Sequence, residues 1–291
     1  MQINCFGDSL TAGTAWGNTM PYSAVLERFT GIKTNNYGIG GESSFTVASR
    51  IGAMKVTLMA DAVFDKDDTS VPVALGDIFM QPTRLLCQVR ENDGDDLVNP
   101  VKLGNCDGVL ERRNNILYFT RNNTGRPEVI PKGSNLVTRL SHCDFSQDIN
   151  IFWVGTNDYA STDNVCAVIA NIKTMIQRTA GTRYIVIGMT AKSYMPEIEA
   201  VNKMFADEFK EHFYDFRKYI LSLPVTDESD AVDAAAGEIP GSYMKALQYD
   251  HVHGNEKFFS LLGAQLYNKI KELGYFCLLY TSPSPRDPKT S

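Results

Sequence analysis

Apolar runs with strand character alternate with amphipathic helical patterns at both ends of this chain, and this alternation is what most constrains the fold. Residues 2–45 predict a strand, a helix and a second short strand, and later runs at 149–155 and 184–189 have the composition of buried parallel strands. Amphipathic helices are predicted at about 21–30, 162–179, 195–220 and 255–273. Strands that alternate with helices predict a three-layer α/β/α core with a doubly wound parallel sheet.

The middle of the chain has a different pattern. From residue 54 to residue 145 the sequence consists of short β-type runs separated by Asp, Asn and Gly turns. These runs lie at 55–58, 71–75, 85–89 and 116–119. The sequence therefore predicts a small all-β domain, residues 54–145, inserted into an α/β core that is formed by residues 1–53 and 146–276.

The segment 277–291 continues neither pattern. Its second half is rich in Ser and Pro, and such a composition cannot bury enough apolar surface to pack against the rest of the chain. We expect this tail to be a non-native or disordered segment, and it is given no role in function.

Charge, hydropathy and cysteine usage argue against several classes of protein. The net charge is −6 at pH 7 and no cluster of Lys and Arg is present, so nucleic acid is not an expected partner. No apolar run approaches the roughly 20 residues of a membrane span, and no signal peptide precedes the first strand, which favours a cytoplasmic over a secreted location. The six cysteines are scattered without a C-x-x-C pair, as is typical of reduced thiols.

The first candidate for chemistry is Ser9, within the stretch GDSL at residues 7–10. It directly follows the first predicted strand, and open α/β sheets carry their reacting groups at the carboxyl ends of the strands. A nucleophilic serine needs a base, an acid that orients the base, and hydrogen-bond donors for the oxyanion. Gly-Asp-Ser alone is also ordinary turn chemistry, so the role of Ser9 depends on whether these partners exist.

Four histidines could supply the base. His212 lies in a charged helical pattern and is interpreted as a solvated surface residue, and His142 is interpreted as structural. His253 is the candidate base, because Asp250 three residues earlier can bind the imidazole Nδ1 and leave Nε2 for the serine. Two alternatives stay open: a metal pair of His251 and His253, for which no third ligand is near in sequence, and a purely structural histidine.

Two further stretches could supply oxyanion donors. In the stretch NYGIGGES, residues 36–43, the backbone N–H of Gly41 or of Gly40 can approach a reacting atom closely because glycine has no Cβ. The glycine spacing does not fit a dinucleotide-binding loop, so no nucleotide cofactor is expected. In the stretch GTND, residues 155–158, the amide of Asn157 follows a buried strand and could point to the same place.

Taken in order, GDSL at 7–10, GGES at 40–43, GTND at 155–158 and D-x-x-H at 250–253 resemble the four sequence blocks of the SGNH (GDSL) hydrolase family. The resemblance covers roughly residues 1–50 and 146–275 and leaves out the inserted segment. It implies a flavodoxin-like sheet and an ester hydrolase that needs neither a metal nor an organic cofactor.

The same resemblance implies a role for each block. Ser9 is the implied nucleophile, and Asp250 and His253 complete the implied triad. The N–H groups of Ser9 and Gly41, together with the side-chain amide of Asn157, form the implied oxyanion hole. The glycine within the second block is taken as Gly41, on its position in the block.

The sequence is less informative about the substrate. No long apolar lid helix is evident, which favours short-chain esters, in particular acetyl esters. Aromatic side chains beside the blocks could stack on sugar rings or belong to the core. The resemblance implies a carbohydrate, because members of the family often deacetylate carbohydrates, so an acetylated carbohydrate is the expected substrate. These aromatic residues are Trp16, Tyr22, Phe45, Trp153, Tyr159 and Tyr194.

Two other functions remain as alternatives. One is a lipase or acyl-thioesterase of the same family. The other is a catalytically idle scaffold whose β-rich insert binds carbohydrate. The insert leaves the core after the second block and returns before the third, so we expect it near the mouth of the site, where it could shape substrate entry or form a homo-oligomer contact.

Overall fold

The computed structural model describes residues 1–13, 20–77, 95–190, 197–225, 228–244 and 252–276. The strands are β1 (Ile3–Gly7), β2 (Thr34–Gly38), β3 (Val56–Leu58), β4 (Ala62–Phe64), β5 (Ser70–Pro72), β6 (Leu75–Gly76), β7 (Val101–Leu103), β8 (Cys106–Arg113), β9 (Ile116–Arg121), β10 (Glu128–Ile130), β11 (Asn135–Val137), β12 (Ile149–Trp153), β13 (Tyr184–Ile187) and β14 (Phe213–Tyr214). The helices are α1 (Ser9–Ala12), α2 (Tyr22–Thr30), α3 (Ser44–Arg50), α4 (Asp95–Val98), α5 (Val165–Thr179), α6 (Ile198–Phe209), α7 (Phe216–Leu221), α8 (Glu228–Ala235) and α9 (Glu256–Glu272).

Several sequence predictions fall on residues outside these ranges. They are the strand at 85–89, the tail 277–291, and the residues Trp16, Tyr194, Asp250 and His251.

Five strands form a parallel sheet in the order β14-β13-β12-β1-β2. Numbered along the chain, this is the 2-1-3-4-5 order of flavodoxin-like sheets, which confirms the predicted fold class. The order reverses between β1 and β12, and open α/β sheets bind ligands outside the carboxyl ends of the strands at such a switch point. The fold therefore directs attention to the loops that follow β1, β2 and β12.

Helices cover both faces of this sheet. Phe6 of β1 packs into a buried cluster with α3, α5 and α6, whereas its neighbours Ile3 and Cys5 pack into a second cluster with α2, α7 and α9. This alternation is the pleat of a strand that is buried on both sides. Within the described ranges, no helix combines the length and the apolar character that a membrane span requires.

The β-rich segment contributes all the strands from β3 to β11. Seven of them form an antiparallel sheet in the order β5-β9-β8-β7-β11-β3-β6, and β4 pairs separately with β10. Their side chains enclose a cluster that includes Phe64 and Phe119, and Ile39 from the loop after β2 belongs to the same cluster. The β-rich segment therefore packs against the loop that carries GGES. The boundaries of a separate domain stay a prediction.

The single helix predicted over 195–220 is wrong. Helix α6 ends at Phe209, because Lys210 leaves the helical conformation with a positive φ of 50°, and a 3₁₀ turn, Lys210–His212, then leads into the edge strand β14. His212 lies at this break and is not a solvated surface residue. Its ring stacks on Tyr184 with centroids 4.0 Å apart, and its Nδ1 lies 2.7 Å from the hydroxyl of Tyr275.

Candidate active site

Ser9 lies at the sharp turn between β1 and α1, at the carboxyl edge of the parallel sheet. The turn requires glycine at position 7, because a Cβ there would lie 2.2 Å from the hydroxyl of Thr11 and 2.4 Å from the carbonyl of Trp153. Asp8 caps the short helix, accepting a hydrogen bond of 2.9 Å from the N–H of Leu10. The turn thus holds Ser9 half-buried at the end of the strand.

The imidazole of His253 contacts the candidate nucleophile: its Nε2 lies 2.7 Å from Ser9 Oγ. The two residues are 244 positions apart in the chain, so the fold brings them together. Sequence reasoning predicted both. Asp250, the predicted partner of the imidazole, lies outside the described residues.

The loop that carries His253 is held in place by the two residues that follow it. Gly254 forms an antiparallel bridge with Met244, and the amide of Asn255 donates to the carbonyl of Met244 at 3.1 Å. Asn255 also caps α9, accepting from the N–H of Phe258 at 3.2 Å. A Cβ at position 254 would lie 2.3 Å from the ring of Phe258, so this position requires glycine.

Gly41 and Asn157 lie in loops that are bonded to each other. Gly41 takes a left-handed conformation with φ of 75°, which glycine adopts at little cost. The side-chain amide of Asn157 donates to the carbonyl of Glu42, the next residue, at 3.0 Å. These loops follow β2 and β12, which flank β1, so they belong to the same edge of the sheet as Ser9.

A buried ion pair supports the Gly41 loop, and the sequence analysis missed it. The Nε of Arg50, on α3, lies 2.6 Å from the carboxylate of Glu42, and both side chains are fully buried. The same guanidinium donates to the carbonyl of Tyr37 at 2.8 Å and to that of Gly7 at 3.4 Å. Arg50 therefore joins the Gly41 loop to the ends of β1 and β2. An isolated Glu and Arg in sequence gave no signal of this pairing.

Asp158 connects the GTND stretch to Ser44, a second contact that the sequence analysis missed. Its carboxylate accepts from the backbone N–H of Ser44 at 2.7 Å and from the Ser44 hydroxyl at 2.6 Å. Burial raises the pKa of Asp158 above its ordinary value, and the hydrogen bonds from Ser44 oppose that rise. The GTND stretch was predicted to supply Asn157 alone, although Asp158 stands beside it in the printed sequence.

The carboxyl of Asp8 has a raised pKa. Burial raises its pKa to about 7, the N–H of Leu10 opposes the rise, and the nearby carboxylates of Asp158 and Glu42 add to it. One oxygen of Asp8 accepts from Leu10, and the other oxygen is buried with no hydrogen-bond partner among the described residues. The turn that presents Ser9 therefore contains a carboxyl that titrates near neutral pH.

The structure also distinguishes among the aromatic residues that the sequence suggested for stacking on sugar rings. Tyr22 and Trp153 are core residues with no more than 1% exposure, and Phe45 packs against the cluster of the β-rich segment. Tyr159 is different, because it is 66% exposed and follows Asn157 by two positions. Among the described residues no three His, Cys, Asp or Glu side chains are grouped as a metal site.

No protein-family model matches the chain, and no curated protein matches it. Three solved structures are similar in fold. A putative lipolytic protein of the G-D-S-L family from Desulfitobacterium hafniense DCB-2 is 13% identical, with 92% of this chain and 98% of that chain covered and a TM-score of 0.46. A member of the lipolytic protein G-D-S-L family from Veillonella parvula DSM 2008 is 13% identical, with 95% and 100% covered and a TM-score of 0.43.

The third structure is BT4096, a gut microbial diltiazem-metabolizing enzyme. It is 11% identical, with 92% of this chain and 46% of that chain covered and a TM-score of 0.44. Similarity at this level carries no assignment of activity or substrate. What this chain does is therefore inferred from its own site.

Proposed function

We propose that this protein is a serine hydrolase of the SGNH type that cleaves carboxylic esters through an acyl-enzyme. The observation that carries the proposal is the 2.7 Å contact between Ser9 Oγ and His253 Nε2. A nucleophile and a base at hydrogen-bonding distance are the minimum that acyl transfer requires. Their position beside the switch point of the sheet, where open α/β proteins bind ligands, is independent support.

The proposed reaction has two acyl-transfer steps. Ser9 Oγ attacks the ester carbonyl while its proton passes to His253 Nε2, and collapse of the tetrahedral intermediate expels the alcohol, which takes that proton. Water then attacks the acyl-enzyme, with His253 again as base, and releases the carboxylic acid and free Ser9. In this proposal Asp250 orients the imidazole through Nδ1.

The oxyanion donors are proposed to be the N–H groups of Ser9 and Gly41 and the side-chain amide of Asn157. A primary amide has two N–H donors. One of those on Asn157 binds the carbonyl of Glu42 and fixes the direction of the amide, which leaves the second N–H for the substrate. A donor that is held in place before the reaction stabilises developing charge without reorganisation.

We propose an acetyl ester of a carbohydrate as the substrate. Exposed Tyr159, two residues after Asn157, offers an aromatic surface close to the site in sequence, and aromatic rings stack on the apolar faces of sugars. The β-rich segment packs against the loop with Gly41, and it could contribute to substrate entry from that side.

The test is the initial rate of hydrolysis of p-nitrophenyl acetate and p-nitrophenyl octanoate by the wild type and by Ser9→Ala. Ser146→Ala, at another half-buried serine, is the control. We expect acetate turnover that is lost in Ser9→Ala and retained in Ser146→Ala, together with labelling of the wild type at Ser9 by a fluorophosphonate. A preference for octanoate would favour a lipase or thioesterase. Equal inactivity of the wild type and Ser9→Ala on both esters would contradict the proposal and favour an idle scaffold.

A further inference from the structure

The GTND stretch binds the GGES loop and Ser44, the residue that follows it, through two consecutive residues. Asn157 donates to the carbonyl of Glu42 at 3.0 Å, and Asp158 accepts from the N–H and the hydroxyl of Ser44 at 2.7 and 2.6 Å. Both residues belong to one 3₁₀ turn, Thr156–Asp158, and therefore move together. A displacement of Ser44 relative to Asp158 would also change the distance between Gly41 and Asn157.

The hydrogen bond between the Ser44 hydroxyl and Asp158 has a defined direction. The hydroxyl of Ser44 accepts from the amide of Asn171 at 2.9 Å, so its own hydrogen is available for Asp158. Ser44 is fully buried, and it is the first residue of α3. Hydrogen bonds to a carboxylate in a buried environment are stronger than those between neutral groups, so this contact resists displacement.

Arg50 does not duplicate this connection. Its guanidinium binds the side chain of Glu42 and the carbonyls of Tyr37 and Gly7, so it fixes the GGES loop to β1 and β2. The GTND turn after β12 contributes direct hydrogen bonds to that loop and to Ser44. The two proposed donors, Gly41 N–H and the Asn157 amide, come from these two loops.

We infer that Asp158 is a positioning residue, which holds Ser44 and thereby sets the spacing between the Gly41 and Asn157 donors of the oxyanion hole. This inference rests on the proposed hydrolase function. The spacing of the two donors matters for the negative charge on the oxyanion, which develops only in the transition state. Loss of Asp158 should therefore lower kcat and leave KM nearly unchanged.

The test compares Asp158→Ala, Asp158→Asn, Ser44→Ala and the double variant Asp158→Ala/Ser44→Ala with the wild type. Asp215→Ala is the matched control. Like Asp158, Asp215 accepts a hydrogen bond from a backbone N–H in the first turn of a helix, that of Lys218 at 2.9 Å, but it follows the edge strand β14. The readouts are kcat and KM per folded molecule on p-nitrophenyl acetate, and inhibition by a trifluoromethyl ketone.

We expect Asp158→Ala to lower kcat by roughly 10-fold to 100-fold, because misplacement of a reacting group by about 1 Å has an effect of that size. KM should change by less than about 2-fold, and the affinity for the trifluoromethyl ketone should fall in parallel with kcat. Asp158→Asn keeps an acceptor for Ser44 and should lose less. The double variant should have nearly the kcat of Asp158→Ala, since the bond from the Ser44 hydroxyl to Asp158 is already lost in the single variant.

The two proposals fail in distinguishable ways. Turnover that does not depend on Ser9 would contradict the hydrolase function itself. Ser9-dependent turnover with a wild-type kcat in Asp158→Ala, or with the same small change as in Asp215→Ala, would overturn only the role of Asp158. If Asp158→Ala does not fold, Asp158→Asn and Ser44→Ala decide the question, and a wild-type kcat in both would overturn the inference.

Discussion

Each of the two large sheets has a fully buried guanidinium beside it, and the two are held in similar ways. Arg121 of the β-rich segment donates to the carbonyls of Asp68 and Arg126 at 2.9 Å and lies over the ring of Phe64. Arg50 of the α/β core is bonded to a carboxylate and to two backbone carbonyls. In both regions a buried cation connects a loop to a strand, through loop carbonyls at Arg121 and through a loop carboxylate and two strand carbonyls at Arg50.

The difference lies in what the two arginines connect. Arg121 joins loops within the β-rich segment, at 65–68 and at 126. Arg50 joins the loop with Gly41 to the strand that ends in the turn of Ser9. Similar chemistry therefore stabilises the fold in both sheets, whereas only the α/β sheet places it next to the candidate catalytic groups. Variants made in matched pairs, one in each sheet, test this division of roles.

The largest expected difference is between His253→Ala and His142→Ala. His253 contacts the candidate nucleophile, and loss of a catalytic base lowers kcat by about 10⁴-fold to 10⁶-fold. His142 is exposed at the end of the β-rich segment, and its loss should leave kcat unchanged. Steady-state kinetics on p-nitrophenyl acetate measures both. A comparable loss of kcat in His142→Ala would mean that catalysis is not confined to the α/β core.

The second pair is Arg50→Met and Arg121→Met. Arg121→Met removes hydrogen bonds to carbonyls of the exposed residues Asp68 and Arg126, whereas Arg50→Met leaves the fully buried carboxylate of Glu42 without its cation. Removing one partner of a buried ion pair costs about 3–5 kcal/mol, and we expect urea unfolding to show a loss of this order in Arg50→Met and a smaller one in Arg121→Met.

Activity should separate the same two variants. Per folded molecule, kcat should fall by roughly 10-fold or more in Arg50→Met, because the loop with Gly41 loses its fixed position. It should stay at the wild-type value in Arg121→Met. The double variant Arg50→Met/Glu42→Gln should recover stability without recovering kcat, since it removes the unpaired charge and leaves the loop unfixed. A fall of kcat in Arg121→Met would break the comparison.

The third pair, Asp8→Asn and Asp144→Asn, concerns the dependence of stability on pH. Burial raises the pKa of Asp8 from 3.8 to about 7, so the folded state favours the protonated form. The folded state then binds more protons than the unfolded state, and the stability that Asp8 contributes is lost as pH rises through about 7. From pH 5 to pH 8 this loss should be on the order of 3 kcal/mol.

Asp8→Asn should flatten the fall in the free energy of unfolding between pH 5 and pH 8, as measured by urea titration at several pH values. The pKa shift of Asp144 has the opposite sign, because the N–H of Ser146 lowers the pKa of its carboxyl. Its contribution is lost as pH falls through that lowered pKa, and Asp144→Asn should leave the interval from pH 5 to pH 8 unchanged. An unaltered slope in Asp8→Asn would show that Asp8 is ionised in the folded protein.

The sequence predicted the interior strands of the α/β core because their signal is local. β1, β12 and β13 are apolar runs of the kind that is typical of a buried parallel sheet. β8 is the longest strand of the antiparallel sheet and was not predicted, because Gly108 and the charged run at 111–113 interrupt the apolar alternation that marks a strand. β14 was missed because two residues carry no periodicity.

The site divides in the same way. Ser9 and His253 could be predicted because each lies in a short stretch with a recognisable chemical order. The bonds of Asp158 to Ser44 and of Arg50 to Glu42 could not, because they depend on how loops 114 positions apart, or a loop and the end of a helix, meet in the folded chain. The candidate catalytic residues were visible in the sequence, whereas the residues that hold their loops became visible only in the fold.

The smallest expected effect concerns three residues with a left-handed backbone, two in the β-rich segment and one in the α/β core. Asn114 and Asn115, with φ of 47° and 63°, form the two-residue turn between β8 and β9, where asparagine is common. Tyr159 adopts φ of 50° beside the candidate active site, although its side chain disfavours that conformation by about 1–2 kcal/mol.

Tyr159→Asn should therefore raise the free energy of unfolding by about 0.5–1 kcal/mol, and Asn114→Tyr should lower it by a similar amount, as measured by urea denaturation. Strain that persists beside a reacting group is expected where it serves function. If Tyr159 stacks on the sugar, Tyr159→Asn should also raise KM for an acetylated sugar and leave KM for p-nitrophenyl acetate unchanged. A more stable Tyr159→Asn with unchanged kinetics on both esters would mean that Tyr159 does not contact the substrate, and the carbohydrate proposal would lose its main structural support.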